Sequence, residues 1–312
     1  MSSSTSNVQQ TYGFVGLGAM GAAMVERARG KGLAVHVYDL DQAAVDRAVA
    51  LGASAGTSPR AVADAAEIVF SSLPTPAIVE HVALGENGLC EGSAMRHYVD
   101  MSTIGPTMIR HVAEVLGKSG IATLDAPVSG GPIGVVNGTL AVMTAGPKAT
   151  VEKARPFFDS FARAVVEISS EVGQAQTVKL ANNILTATNM IAVGEAMAFA
   201  EKGGIDPELL FKVINAGSGR SWVSEVAYPN FVVPRTYNQN FRTELMHKDV
   251  VLCLEEADRA GVPMWLGSSV RQMWQFFMSQ GMGKDDCSRI STVIEDWAGV
   301  HQPAPPKTRD AA

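Results

Sequence analysis

The chain has 312 residues, of which 46% are hydrophobic and 18% are charged, and its formal net charge is −6. This length allows two domains that each bury a core, and this composition excludes global disorder. There is no long basic run, and no stretch reaches the roughly 18 uncharged apolar residues that a membrane span needs, so we expect neither nucleic acid nor a membrane as a partner.

Residues 1–10 are polar and Ser-rich and lack the basic and apolar regions of a secretory signal, so we expect a disordered N-terminus. Residues 301–312 contain three prolines and no periodic apolar face, which indicates a flexible tail. The three cysteines, Cys90, Cys253 and Cys287, are scattered without metal-ligand spacing. These features predict a cytoplasmic protein with reduced thiols and no metal site.

From residue 11 to about residue 168, apolar strand-like runs alternate with helix-like segments. The predicted strands are residues 12–15, 34–38, 68–73, 98–101, 121–124, 140–145 and 164–168. This alternation predicts βαβ units, and therefore an α/β domain whose parallel sheet is covered by helices on both faces.

A glycine motif follows the first predicted strand. It reads Gly16, Leu17, Gly18, Ala19, Met20 and Gly21. In a Gly-x-Gly-x-x-Gly turn the first glycine permits a tight turn, the second lets the backbone approach a pyrophosphate, and the third lets helix and strand pack closely. Such turns are common, but a strand before the motif and a helix-like run after it favour a dinucleotide site.

Asp39 ends the second predicted strand, about 20 residues after Gly18. A carboxylate at this place binds the adenosine ribose diol and repels a 2′-phosphate. No Arg follows within a few residues. The sequence therefore predicts NAD rather than NADP, the alternative being that Asp39 is only a helix cap or a turn residue.

Two later strand ends should lie on the same edge of the sheet, where ligands of open α/β sheets bind. They are residues 71–74 and 100–103, in which Ser102 could be either a ligand contact or a helix cap. A further strand end leads into Ser129, Gly130 and Gly131. Successive glycine N–H groups and a serine hydroxyl suit a carboxylate, although they also occur in ordinary glycine-rich turns.

The second half of the chain looks helical throughout. Residues 174–202 contain neither Pro nor paired Gly and predict one helix of seven or more turns, and further helices are predicted at residues 206–215, 246–260 and 268–279. We expect a sheet domain over residues 11–173, an interdomain helix over 174–202 and an all-helical domain over 203–300.

The long predicted helix carries a polar stripe. At 100° per residue, Lys179, Asn182, Asn183, Thr186 and Asn189 share one sector, and apolar residues cover most of the remaining surface. A buried Lys179 could exchange a proton with a hydroxyl or carbonyl oxygen while hydride moves to or from nicotinamide, with Asn183 orienting the amine or holding the same oxygen. The alternative is a partly exposed lysine beside amides.

Taken in order, these motifs resemble those of the β-hydroxyacid dehydrogenases, which include 3-hydroxyisobutyrate dehydrogenase and tartronate semialdehyde reductase. The resemblance runs from about residue 13 to residue 297. It rests on the motifs at residues 16–21, 100–103, 125–131, 137–140, 179–183 and 248–249.

The resemblance implies a Rossmann-type doubly wound sheet domain, a long linking helix and an all-α domain that takes part in dimer or tetramer contacts. It implies that Lys179 is the catalytic acid/base. Ser129, Gly130, Gly131 and Asn183 would hold the substrate carboxylate, Arg220 would meet a carboxylate, and the cofactor would contact Leu73, Pro74, Thr103 and Lys248. Ala175 stands where the family often has Gly.

The predicted function is an NAD-dependent 3-hydroxy acid dehydrogenase, a homo-oligomer acting on a small carboxylate. One alternative is an NADPH-dependent semialdehyde reductase of the tartronate semialdehyde or sulfolactaldehyde type. The other is a non-catalytic dinucleotide-binding module, which the Lys179 stripe disfavours.

Overall fold

A computed structural model describes residues 10–300, so the predictions for residues 1–10 and 301–312 lie outside the described residues, apart from Gln10. The chain divides into two compact units between Leu180 and Ala181. Among the described residues, no helix combines the length and the apolar character needed to cross a bilayer.

Nine strands lie in the described part of the first unit. They are β1 (Thr11–Val15), β2 (Ala34–Tyr38), β3 (Ser54–Ala55), β4 (Ile68–Ser71), β5 (His97–Asp100), β6 (Ala122–Asp125), β7 (Val128–Ser129), β8 (Leu140–Ala145) and β9 (Ala162–Ser169). The sheet order is β3-β2-β1-β4-β5-β6-β8-β7, with β9 beside β8. Strands β1 to β6 pair in parallel, which confirms the predicted Rossmann-type sheet.

The far end of the sheet is less regular than predicted. Strand β8 runs antiparallel to both β6 and β7, whereas β9 is parallel to β8. The pair β7 and β8 is antiparallel and therefore contains no βαβ crossover, whereas the parallel pair β8 and β9 is joined through the helix Lys148–Phe158. The sheet is therefore mostly, but not entirely, parallel.

Helices follow the strands of the first unit. They are α1 (Ala19–Gly30), α2 (Gln42–Ala50), α3 (Pro59–Ala65), α4 (Pro76–Leu84), α5 (Pro106–Gly117), α6 (Gly131–Val136) and α7 (Lys148–Phe158), with a short 3-10 turn at Leu89–Glu91. Asp41, Ser58 and Thr75 cap α2, α3 and α4 by accepting a backbone N–H in the first turn.

The sheet buries an apolar layer on each face. On one face Tyr12, Phe14 and Phe70 pack against Phe157 of α7. The ring centroids of Phe70 and Phe157 lie 4.2 Å apart. Val69, the neighbour of Phe70, belongs to the cluster on the other face. Successive side chains of a strand point to opposite faces, so two covered faces require apolar residues at every position of the central strands.

The helix α8 (Gln174–Lys202) has the bounds predicted from the sequence and is about 43 Å long. The second unit continues with α9 (Pro207–Ala216), a π-helix (Val223–Val232), α10 (Thr243–Arg259), α11 (Trp265–Ser279) and α12 (Ile290–Ala298), with 3-10 turns at Met282–Lys284 and Cys287–Arg289. Between residues 170 and 300 the only β pairing is an isolated bridge, Arg242 with Asp286.

Within the second unit, two buried aromatic residues bind later helices to the part of α8 that follows Leu180. The hydroxyl of Tyr228 in the π-helix donates to the carbonyl oxygen of Met190 at 2.7 Å, and the indole N–H of Trp274 in α11 donates to that of Ala187 at 3.3 Å. The π-helix, which contains Pro229, was not predicted. Proline removes a backbone donor and disfavours regular α-helical bonding, and the Tyr228 contact involves residues distant in sequence.

Candidate active site

The glycine turn has the shape that a pyrophosphate requires. Gly16 has a φ of +98° and donates its N–H to the carbonyl oxygen of Tyr38 at 3.0 Å. A methyl group at Gly21 would overlap the carbonyl oxygen of Gly16, whereas one at Gly18 would meet no protein atom within 4 Å. No side chain of the described residues caps the N-terminus of α1. Space and N–H donors are therefore available together above Gly18.

Asp39, at the end of β2, is bound to this turn. Its carboxylate accepts the N–H of Leu17 at 2.5 Å and the N–H of Asp41 at 2.8 Å. The second bond forms a turn at residues 39–41. A carboxylate has about four acceptor sites, so both bonds leave capacity for a ribose diol.

A buried hydrogen-bond network holds the loops that follow β4 and β5. Asp100 is fully buried, and its Oδ1 accepts from the hydroxyl of Ser71 at 2.8 Å and from that of Ser102 at 2.7 Å. The Ser102 Oγ in turn accepts the N–H of Leu73 at 2.9 Å. Ser102 is not a helix cap, because α5 is preceded by Gly105. It fixes the loop of Leu73, which is predicted to contact the cofactor.

The start of α8 lies at the same edge of the sheet. Asp125, at the end of β6, accepts the N–H groups of Gly173 at 3.2 Å and Gln176 at 3.0 Å, and the Gln176 side chain donates to Ser102 O at 2.9 Å. Burial, with a smaller contribution from the negative charge of Asp100, raises the pKa of Asp125 to about 7, and its hydrogen bonds with Gln176 and Gly173 oppose this shift.

The contact between Asp125 and Gln176 was not predicted from the sequence. Asp125 begins the motif of residues 125–131 and Gln176 is the third residue of the long helix, but the two are 51 positions apart. The available signal was a carboxylate at a strand end with no basic neighbour in sequence, followed later by an amide in a helical first turn.

The predicted carboxylate-binding segment joins β7 to α6. Ser129 pairs with Ala141 of β8, and the next two residues have positive φ, +127° at Gly130 and +63° at Gly131. Such φ values favour glycine because it lacks a Cβ. A methyl group at Gly131 would meet no protein atom within 4 Å, so its side of the segment is open.

Lys179 lies on α8, one turn after Gln176, and only 8% of its surface is exposed. Ala175, the departure from the resembling family, is fully buried in a cluster with Met143 and Ala145. Its methyl group therefore fills the space between α8 and β8 and belongs to the core.

In the second unit, Asn183 is 6% exposed and its amide donates to Asp249 Oδ2 at 2.6 Å. The Lys248 amine lies 3.1 Å from Asp249 Oδ1. Arg220 is mostly exposed and lies 3.4 Å from Glu225. Among the described residues, no group of three His, Cys, Asp or Glu side chains forms a candidate metal site.

The polar stripe on α8 is narrower than predicted. Lys179 and Asn183 are buried, but Asn182 is exposed and Thr186 is half-buried. The apolar residues around the stripe are not all buried either, since Leu185 is 64% exposed. Part of the apolar surface of α8 is thus exposed in the single chain.

Two family models match the chain. The model for the NAD binding domain of 6-phosphogluconate dehydrogenase matches residues 11–170, and the model for NAD-binding of NADP-dependent 3-hydroxyisobutyrate dehydrogenase matches residues 173–294. The first model covers just over half of the chain, and the second covers most of the remaining residues.

Individual relatives match over nearly their whole length. The chain is 36% identical to the NAD-dependent L-serine dehydrogenase of Pseudomonas aeruginosa, over 92% of this chain and 98% of that protein. It is 34% identical to the 2-(hydroxymethyl)glutarate dehydrogenase of Eubacterium barkeri, over 92% and 96%. The solved structure of Mycobacterium tuberculosis 3-hydroxyisobutyrate dehydrogenase with L-serine is similar with a TM-score of 0.81 and 31% identity, covering 93% and 99%.

Proposed function

This chain belongs to the 3-hydroxyisobutyrate dehydrogenase family of NAD(P)-dependent oxidoreductases that act on CH–OH groups, and on that premise we propose its reaction and the roles of its residues. The reaction is the oxidation of a small 3-hydroxy carboxylic acid to its semialdehyde or keto acid, or the reverse reduction. One observation carries the proposal: the helix that bears the buried Lys179 begins at the sheet edge that bears the glycine turn.

The dinucleotide would be held by the glycine turn from Gly16 to Gly21 and by Leu73, Pro74 and Thr103 of the neighbouring loops, and the family resemblance also implies a contact with Lys248. When bound, it supplies a nicotinamide ring that accepts or donates hydride. The space above Gly18 fits its pyrophosphate, and the Asp39 carboxylate, anchored to Leu17, favours the ribose diol of NAD over the 2′-phosphate of NADP.

Lys179 acts as the general acid/base. Its amine takes the proton from the substrate hydroxyl during oxidation and returns it to the carbonyl oxygen during reduction. Asn183 assists: its amide is held by Asp249 at 2.6 Å, and an amide nitrogen carries a second N–H that can donate to a substrate oxygen.

The substrate carboxylate would bind at Ser129, Gly130 and Gly131, where the chain turns through two positive φ values and the side of Gly131 is open. Arg220 would meet a second carboxylate, in competition with Glu225. Relatives are named for L-serine and for 2-(hydroxymethyl)glutarate, which are both small hydroxy acids.

The reductase alternative differs from this proposal in cofactor and direction, not in fold. A related protein from Escherichia coli, named 2-hydroxy-3-oxopropionate reductase, is 33% identical to this chain. Preference for NADPH over NADH would favour that alternative. Family membership sets aside the non-catalytic module, because the chain is an oxidoreductase.

The test is a screen of L-serine, 3-hydroxyisobutyrate and 2-(hydroxymethyl)glutarate with NAD at alkaline pH, comparing the wild type with Lys179→Ala. We expect kcat to fall by about 10²–10⁴-fold, because general acid–base catalysis is lost, while NADH binding measured by fluorescence is retained. Lys202→Ala, at the exposed end of the same helix, is the control. Normal turnover by Lys179→Ala would show that another group moves the proton.

We further propose that the protein is a cytoplasmic homo-oligomer. Three of the four tryptophans are substantially exposed, namely Trp222 (47%), Trp265 (85%) and Trp297 (56%), and all three lie in the second unit. Several exposed aromatic residues in one part of a protein are typical of protein–protein interfaces. The three cysteines are free thiols, which suits a reducing compartment.

A further inference from the structure

The first turn of α8 is held by a buried carboxylate from the sheet. Asp125 Oδ2 accepts the N–H groups of Gly173 and Gln176, at 3.2 Å and 3.0 Å. The first N–H groups of a helix have no partner within it and usually bond to a Ser, Thr, Asp or Asn just before the helix. Here that position is Gly173, which has no side chain, so Asp125 takes over the capping role from the end of β6.

Gln176 uses all four of its hydrogen-bonding positions. Its Nε2 donates to Asp125 Oδ1 at 2.8 Å and to Ser102 O at 2.9 Å. Its Oε1 accepts the N–H groups of Ile104 at 2.9 Å and Gly105 at 3.1 Å. The side chain is fully buried. When every polar group of a buried network has a hydrogen-bond partner, a shift of one side chain leaves a polar group without a partner. Such a network therefore holds its side chains in one arrangement.

These bonds connect two parts of the proposed active site. The loop of residues 102–105 includes Thr103, proposed to contact the cofactor, and Lys179 lies three positions after Gln176 in the same helix. Residues three apart in a helix are neighbours on its surface. The side chain of Gln176 is thus bonded to the loop of residues 102–105, and its backbone belongs to the same helix as Lys179.

We propose that Asp125 and Gln176 are positioning residues for hydride and proton transfer, which set the location of Lys179 relative to the loop of residues 102–105 without touching substrate or cofactor. The proposal rests on the assigned role of Lys179. Transfer between bound groups is sensitive to displacements of about 1 Å, which can cost on the order of 10²-fold in rate.

The first experiment compares Gln176→Ala with Gln174→Ala. Both change a glutamine in the first turn of α8, but Gln174 only donates to Glu171, at 2.9 Å. We expect Gln176→Ala to lower kcat by about 10- to 100-fold and to change the Kd for NADH much less, while Gln174→Ala stays within about twofold of the wild type.

A purely structural role would reduce the folded fraction but leave the chemistry of the folded enzyme unchanged. The primary isotope effect on kcat separates the two cases, using L-serine deuterated at C3 or, if L-serine is not turned over, 3-hydroxyisobutyrate deuterated at C3. Displacement of Lys179 slows the chemical step, so the isotope effect should rise in Gln176→Ala. An unchanged isotope effect, with loss only of thermal stability, overturns the proposal.

A rescue experiment exchanges the two groups. Gln176→Glu alone sets two carboxylates face to face. The double variant Asp125→Asn, Gln176→Glu restores an amide–carboxylate bond, but the new carboxylate also faces the carbonyl oxygen of Ser102, so only part of the activity returns. We expect the double variant to recover about tenfold in kcat over Gln176→Glu. A double variant no better than Gln176→Glu would count against the pair.

Hydrogen exchange provides a readout that does not depend on activity. The N–H groups of Ile104 and Gly105 should exchange faster in Gln176→Ala than in Gln174→Ala, since they lose their acceptor. If Lys179→Ala turns over normally, the proposed role of Lys179 as the acid/base fails whatever the exchange data show. If Lys179→Ala is inactive but Gln176→Ala keeps its kcat and its protection, only the positioning proposal fails.

Discussion

Asp125 links the ionisation of one residue to the stability of the fold. Burial raises the pKa of this carboxyl to about 7, and the negative charge of Asp100, in register on the next strand, adds to the shift. In the unfolded chain the pKa returns to about 4. Between about pH 4 and about pH 7 the folded protein keeps a proton that the unfolded chain releases, so the contribution of Asp125 to stability falls as the pH rises through that interval.

Asp125→Asn should remove this pH dependence. We expect the wild type to lose thermal stability relative to the variant as the pH rises from about 4 to about 7, with a constant difference above that, because an amide does not titrate. Differential scanning fluorimetry across this range measures the difference in Tm. Asp206→Asn, at the cap of α9, is the matched control. A Tm difference that does not vary with pH would contradict the assignment.

The proposed preference for NAD over NADP can also be tested at the scale of one residue. Asp39→Asn keeps the size of the side chain but removes the charge that would bind the ribose diol and repel a 2′-phosphate. We expect kcat/KM for NAD to fall by roughly 10- to 100-fold, in line with the loss of charged hydrogen bonds, and kcat/KM for NADP to rise relative to it. Asp41→Asn, which alters a neighbouring helix cap, should leave the preference unchanged.

At the scale of the element, two glycines of the turn between β1 and α1 are expected to have different roles. Substitution of Gly18 should weaken cofactor binding, and substitution of Gly21 should weaken the fold. Gly18→Ala places a methyl group in open space above the turn, so we expect an unchanged Tm but at least about tenfold weaker NADH binding, because the methyl group would occupy the space that we propose for the pyrophosphate. Gly21→Ala drives a methyl group into the carbonyl oxygen of Gly16 and should destabilise the fold by about 1–3 kcal/mol.

Calorimetry and NADH fluorescence on both variants test this separation. Gly30→Ala, at the other end of α1 and also in open space, is the control and should change neither property. If Gly18→Ala binds NADH as tightly as the wild type, the pyrophosphate does not lie over this turn.

At the scale of the whole molecule, the uncovered apolar residues of the second unit bear on assembly. Leu185 and Phe199 lie on α8 and are 64% and 83% exposed, and Val213 on α9 is 64% exposed. The double variant Leu185→Glu, Phe199→Glu should lower the mass in solution relative to the wild type, because a buried interface does not accept unpaired charges. Light scattering coupled to size exclusion measures it.

The control for assembly is Leu51→Glu, a comparable change at an exposed leucine of the first unit. It should leave the mass of the wild type, expected to be that of a dimer or tetramer, unchanged. A wild type that is monomeric at micromolar concentration would refute the proposed oligomer.

Much of the fold could be predicted because its signals are local. The bounds of α8 and β2 agree with the prediction residue for residue, and β4 and β5 differ only at their ends. Hydrophobic periodicity, the absence of helix breakers and the glycine motif act over a few neighbouring positions, where backbone geometry limits the choices. These same signals indicated the dinucleotide turn and the helix of Lys179.

The tertiary structure alone decided which distant groups meet. The capping of α8 by Asp125, the bonds of Gln176 to residues 102–105 and the π-helix held by Tyr228 all join positions far apart in the chain. Such contacts order distant parts of the chain, and the packing of the whole domain has to compensate that loss of chain entropy. They therefore cannot be predicted from the residues near each position. For the same reason, the uncovered apolar surface of α8 became visible only once the helix was packed.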